Sequence, residues 1–122
     1  MRHKDAAVGF LTLVAAGEVA EAYRQYIGPG FRHHNPYFHG DAESLKAAME
    51  QNAAANRDLK LEVQRALEDG DQVAVLSWIR QRPADRGAAV VHWFRFEGDR
   101  IVEMWDVGQG VPAEMINLNG MF

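Results

Sequence analysis

The chain has 122 residues and a mass of 13.7 kDa, which is one domain, long enough to bury about two thirds of the surface its unfolded form exposes. With 48% hydrophobic and 25% charged residues it falls outside the disordered, collagen-like and rod-like coiled-coil classes. Thirteen Lys and Arg against seventeen Asp and Glu give a formal charge of -4 with no basic cluster, which argues against nucleic acid or an anionic membrane as partner, and the absence of cysteine removes disulfides, thiolate nucleophiles and Cys-ligated metals.

The first apolar stretch, residues 6–16, is interrupted by Gly9 and Thr12 and is too short to span a bilayer. Asp5 and the lack of a small-residue cleavage site argue against a signal peptide, so a cytoplasmic protein is expected. Residues 4–16 carry Val8, Leu11, Val14 and Ala15 at helical spacing; Gly17 breaks the run, and a second helix follows over 18–27 through Val19, Tyr23 and Ile27. Gly28-Pro29-Gly30 predicts a turn, because proline has no amide donor and glycine favours open backbone states. After the segment FRHHNPYFHG, Asp41 stands as the N-cap of a third helix, whose stripe of Leu45, Ala48, Met49, Asn52 and Ala53 runs to about Asn56.

From Leu59 the period becomes two. Leu59, Leu61, Val63 and Leu67 alternate with charged and polar residues, with Arg65 interrupting, and mark a strand with one wet face. Asp69-Gly70 predicts a hairpin, residues 72–82 a second strand, 83–87 a reversal, 88–97 a third strand, Gly98-Asp99 another turn and 100–107 a fourth. Three helices followed by an antiparallel meander define an α+β domain. A strongly curved sheet wrapped around a helix leaves a cone with a hollow end.

Four features could carry chemistry. Asp106, near the end of a strand and among apolar neighbours, is a candidate general base whose charged form burial would disfavour. His92 is the lone polar residue of an apolar strand, and its relation to Asp106 depends on the last turn. A two-residue turn places it opposite Trp105, a three-residue bulged turn opposite Asp106. In the segment Arg32-His33-His34-Asn35-Pro36-Tyr37, Pro36 holds Asn35 extended, so that His34 and Asn35 are displayed by stiff chain. With His39 it also invites a metal, but alternation points His33 and His34 apart and no carboxylate stands at ligand spacing, so none is expected. The tail, residues 108–122, ends in apolar residues that pack over the pocket or onto a second subunit. There is no GxSxG elbow, phosphate loop, dinucleotide fingerprint or HExxH, which leaves cofactor-free acid-base work or plain binding.

With FRHHNPYFHG before a helix, the hairpin EDGDQVAV and the closing run VVHWFRFEGDRIVEMWDVGQ, the chain resembles the SnoaL-like polyketide cyclase group of the nuclear transport factor 2-like superfamily over nearly its whole length. The resemblance implies a cystatin-like α+β cone, a single domain over 1–122, with an apolar pocket at its open end and a homodimer built on the sheet face. It also implies an aspartate that takes a proton from an activated carbon beside a supporting histidine, the positions of Asp106 and His92, and it selects the three-residue turn.

The expected activity is therefore removal of a proton next to a carbonyl of a small apolar molecule, of the aldol-condensation, cyclase or isomerase type, with no metal or organic cofactor. Asp106 and His92 are the expected catalytic pair; His34, Asn35, Tyr37, Trp78, Phe94 and Trp105 are the expected substrate-binding groups. Two rival readings use the same sequence: a binding protein without catalysis and an assembly module working through its sheet.

Overall fold

In the computed structural model, which describes residues 2–122, three helices lie against a curved five-stranded sheet. The helices are α1 (His3–Ala15), α2 (Val19–Tyr26) and α3 (Ala42–Ala55); the strands are β1 (Ile27–His33), β2 (Lys60–Asp69), β3 (Gln72–Arg80), β4 (Ala88–Glu97) and β5 (Arg100–Gly110). Strands β2 to β5 form the expected antiparallel meander, and the sheet order is β1-β5-β4-β3-β2. The α+β architecture is thus as anticipated. None of the described helices is long and apolar enough to cross a membrane.

The first strand corrects the sequence reading. Gly28-Pro29-Gly30 is not a turn but part of β1, an edge strand running parallel to β5. Register passes from Ile27 opposite Ile101 directly to Arg32 opposite Glu103, so four residues of β1 lie against Val102 alone. Proline is admissible in this irregular edge because no ladder donor is missed. Gly28 allows a close approach: a Cβ there would lie 2.8 Å from the Arg100 Cβ.

Two bulges decide which side chains face the helices. On β2, Val63 pairs with Ser77 but Arg65 pairs with Leu76, so Gln64 is the extra residue and the inner face continues through Ala66. Leu67, expected in the buried row, is consequently 72% exposed. Between β4 and β5 the turn is the short one, Gly98-Asp99 with Glu97 opposite Arg100, and Gly98 takes φ +56° at the position where a primed turn requires it. The one-residue shift arises beyond the turn, at Val102, between the pairs Phe96 with Ile101 and Arg95 with Glu103. His92 therefore stands opposite Asp106 with a two-residue turn and a strand bulge, not the three-residue turn the resemblance had selected.

The inner face and the helices enclose the core, in which Phe10 meets Phe94 edge-on with centroids 6.0 Å apart and lies 5.7 Å from Tyr23. At the start of α1, His3 ties the tips of two hairpins: its Nδ1 is 3.0 Å from the Gly70 carbonyl oxygen and its Nε2 2.9 Å from that of Gly98, with the ring stacked on Phe96. Helix α3 begins as expected. Asp41 Oδ2 accepts from the Ser44 amide at 3.0 Å and its Oδ1 from the Ser44 hydroxyl at 2.8 Å. Beyond Gly110 the chain has no helix or strand. Val111 donates its amide to the Gly87 carbonyl, Ile116 and Leu118 are fully exposed, and Phe122 lies 5.7 Å from Trp78 on the outer face of the sheet.

Candidate functional site

Helices α1 and α3 stand over the inner face of the sheet and leave an open cavity of about 820 Å³. Its walls are mostly apolar, with Leu11 and Val14 from α1, Leu45 and Met49 from α3, and Leu61 and Ile79 from the sheet. The predicted stripe of α3 thus faces the cavity, through Leu45, Ala48, Met49 and Asn52. Of the tail, only Val111 contributes to the wall, so residues 112–122 do not close the pocket in the way their composition suggested.

Three polar side chains enter this space together. His92 and Asp106 are cross-strand partners on the inner face, and Asn35 reaches them from the segment after β1. Direct partners on one face are close enough for side-chain contact. Asn35 Nδ2 donates to Asp106 Oδ2 at 3.2 Å, while its Oδ1 accepts from the Tyr37 amide at 3.0 Å, so both ends of the carboxamide are assigned. Asp106 is half-buried. His92 is 7% exposed, and its Nδ1 is enclosed with no hydrogen-bond partner among the described residues. Burial pushes its pKa down to about 4 against the opposing pull of the Asp106 charge, so the ring is neutral near pH 7. A neutral imidazole can donate a hydrogen bond but cannot supply the proton of an imidazolium.

The other expected binding groups lie elsewhere, and strand parity is the reason. Past Val102 the odd-numbered residues of β5 point outward, so Trp105 pairs with Trp93 on the outer face. His34 is on that side too: its ring stacks on Trp105 at 4.8 Å and its Nε2 lies 2.6 Å from Glu103 Oε2. Trp78 is also outward, donating Nε1 to the Arg86 carbonyl at 2.8 Å beneath the guanidinium of Arg80. Phe94 faces inward but is wholly buried in the core below His92, and Tyr37 is 85% exposed. None of these five lines the cavity. His33 and His34 point to opposite sides, and among the described residues no three His, Asp or Glu side chains converge as metal ligands.

The roles of two residues escaped the sequence reading. Glu103 is buried on the outer side, where it accepts from Arg32 at 2.9 Å, His34 at 2.6 Å and Arg95 at 2.9 Å. The Arg32 guanidinium, followed by His34 and Arg95, holds its carboxyl at a pKa of about 2 against the cost of desolvation. A charge inside the run Ile101 to Met104 was visible, but its partners could be named only once the register was known. His33 is the second, and its bonds are described below.

The segment 7–104 matches the model of the SnoaL-like domain, most of the chain. The chain belongs to the SnoaL-like family. Membership in this family agrees with the SnoaL-like resemblance carried by the HHNP segment and the WDVGQ run. Solved structures agree on the fold of this SnoaL-like domain. IdmH from Streptomyces antibioticus, a candidate polyketide cyclase, superposes with a TM-score of 0.72 at 22% identity over 88% of this chain and 92% of its own. AclR from Streptomyces galilaeus, a candidate hydroxylase, gives 0.73 at 19% identity over 88% of each chain. An NTF2-like protein of unknown function from Cytophaga hutchinsonii gives 0.73 at 15% identity over 89% of this chain and 91% of its own. No curated protein matches the sequence.

Proposed function

We propose that this SnoaL-like domain takes a small apolar carbonyl compound into the cavity and removes a proton from the carbon beside the carbonyl. The observation that supports it is the pairing of Asp106 with a neutral, buried His92 on the inner face of the sheet, with the Asn35 amide on the carboxylate, in a cavity that α1, α3 and the sheet line with Leu11, Val14, Leu45, Met49, Leu61 and Ile79 and that Asn52, Gln81, Asp85 and Arg86 also border. In this reading the Asp106 carboxylate accepts the proton and the C–H electron pair moves into the carbonyl to give an enolate. A hydrogen bond from neutral His92 stabilises the oxygen as its charge grows. The α-carbon then attacks a second carbonyl carbon, forming the C–C bond of an aldol as that carbonyl's electron pair moves onto its oxygen to give an alkoxide, or, where a β,γ-double bond extends the enolate to a dienolate, the γ-carbon takes the proton, giving the conjugated isomer. Asp106 returns its proton in either case. Along the apolar part of the wall fewer water dipoles compete, which strengthens both interactions.

The test is α-proton exchange into D2O for a panel of small apolar ketones. Asp106→Asn keeps the shape and removes the base; exchange should fall by about 10²- to 10⁴-fold, the usual contribution of a positioned acid-base group. Ligand binding should persist, read as thermal stabilisation of about 2.7 kcal/mol at roughly 100 times the dissociation constant. Equal exchange by the two proteins would remove Asp106 as base, and binding without exchange by either would leave a binding module.

A further inference from the structure

His33 makes three hydrogen bonds that together hold both ends of one loop. Its Nδ1 accepts from the Asn35 amide at 3.1 Å, its Nε2 meets the His39 carbonyl oxygen at 2.6 Å, and its own amide donates to the Gly40 carbonyl at 3.0 Å. The first contact settles the tautomer. A backbone N–H can only donate, so Nδ1 carries a lone pair and the ring proton sits on Nε2, where the carbonyl needs a donor. The side chain is 5% exposed beside Phe31, so water does not compete for these bonds. The loop clamped in this way, residues 34–40, contributes Asn35 and Phe38 to the cavity.

We infer that His33 is a positioning residue that holds the Asn35 amide against Asp106. The link runs through the backbone: His33 fixes the Asn35 N–H, the Tyr37 N–H fixes Asn35 Oδ1, and only then does Nδ2 point at Asp106 Oδ2. A carboxamide turned the other way would set its oxygen against the carboxylate. The consequence for catalysis rests on the reading of Asp106 as base, but the placement of Asn35 does not.

Two substitutions divide the functions of the ring. His33→Asn keeps an acceptor near the Nδ1 position and should retain the Asn35 bond; His33→Gln keeps a donor near Nε2, retaining the His39 bond and losing the other. Amide hydrogen exchange on the full chain should show the Asn35 N–H of His33→Gln unprotected by roughly tenfold, the loss of one ordinary hydrogen bond, and that of His33→Asn nearly unchanged. The Asp106 carboxyl carbon resonance should move in His33→Gln as it does in Asn35→Ala, and stay in His33→Asn. Ketone exchange should follow the same order in kcat rather than KM. Equal Asn35 protection in all three proteins, or an Asp106 resonance indifferent to His33→Gln, overturns the proposal. If both readouts move as expected while the unaltered protein exchanges no ketone proton, the base reading fails and the positioning of Asn35 stands. Should His33→Gln not fold, the ring nitrogens of the unaltered protein decide: a protonated Nε2 with bare Nδ1 supports the proposal and the opposite tautomer overturns it.

Discussion

The proton count of His92 is set by the fold around it. An unfolded imidazole takes up its proton near pH 6.5, whereas burial delays this in the folded chain to about pH 4. Between those values the unfolded state binds more protons, so the stability that the neutral ring contributes is complete above pH 6.5, declines as pH falls through the window and is gone below about 4. Urea melts of the protein and of His92→Phe across that range should give profiles whose difference closes toward low pH; parallel profiles would mean that His92 protonates freely in the fold. His92 and Asp106 could both be found from the sequence, since each is a polar residue in an apolar strand. The aromatic residues could not be assigned, because nothing local to Trp78, Phe94 or Trp105 records whether its position is turned inward, outward or down into the core.

At the level of elements, the helices and the meander were readable because their periods are strong and their breakers ordinary. Strand β1 was not. Gly28-Pro29-Gly30 has the composition of a turn, and the strand that accepts it is over seventy positions away, at Ile101 and Glu103. The bulge at Gln64 did leave a trace, since Arg65 interrupts the alternation, while at the bulge in β5 both Ile101 and Val102 are apolar, so the sequence does not say which of the two is the inward partner of Phe96. Helix α3 carries one wall of the cavity, and its start depends on Asp41. Replacing Asp41 by Ala removes the acceptor of the Ser44 amide and should cost about 1 kcal/mol, seen as a lower urea midpoint with unchanged slope. An unchanged midpoint would show that the cap contributes nothing beyond what water supplies.

For the molecule as a whole, the outer face of the sheet stands out. Trp93 is 45% exposed and Val107 73%, beside outward-turned Leu67, and the tail brings Phe122 onto Trp78 of that same face. Apolar area of this kind on a small domain suits an isologous contact between two copies, and a stable one covers about 800 Å² on each. We therefore expect sedimentation as a dimer at micromolar concentration and as a monomer after Trp93→Asp with Val107→Asp, with the circular dichroism unchanged. A monomeric unaltered protein would refute this. The single extra residue at Val102 has a wider consequence. With it, β5 offers its aspartate to the chamber and turns a glutamate and a tryptophan to the opposite side; without it, those two would trade places with the aspartate. The chemistry of the interior is thus controlled by whether the chain length of one hairpin is odd or even, and comparisons with relatives across this stretch must count residues before they compare side chains.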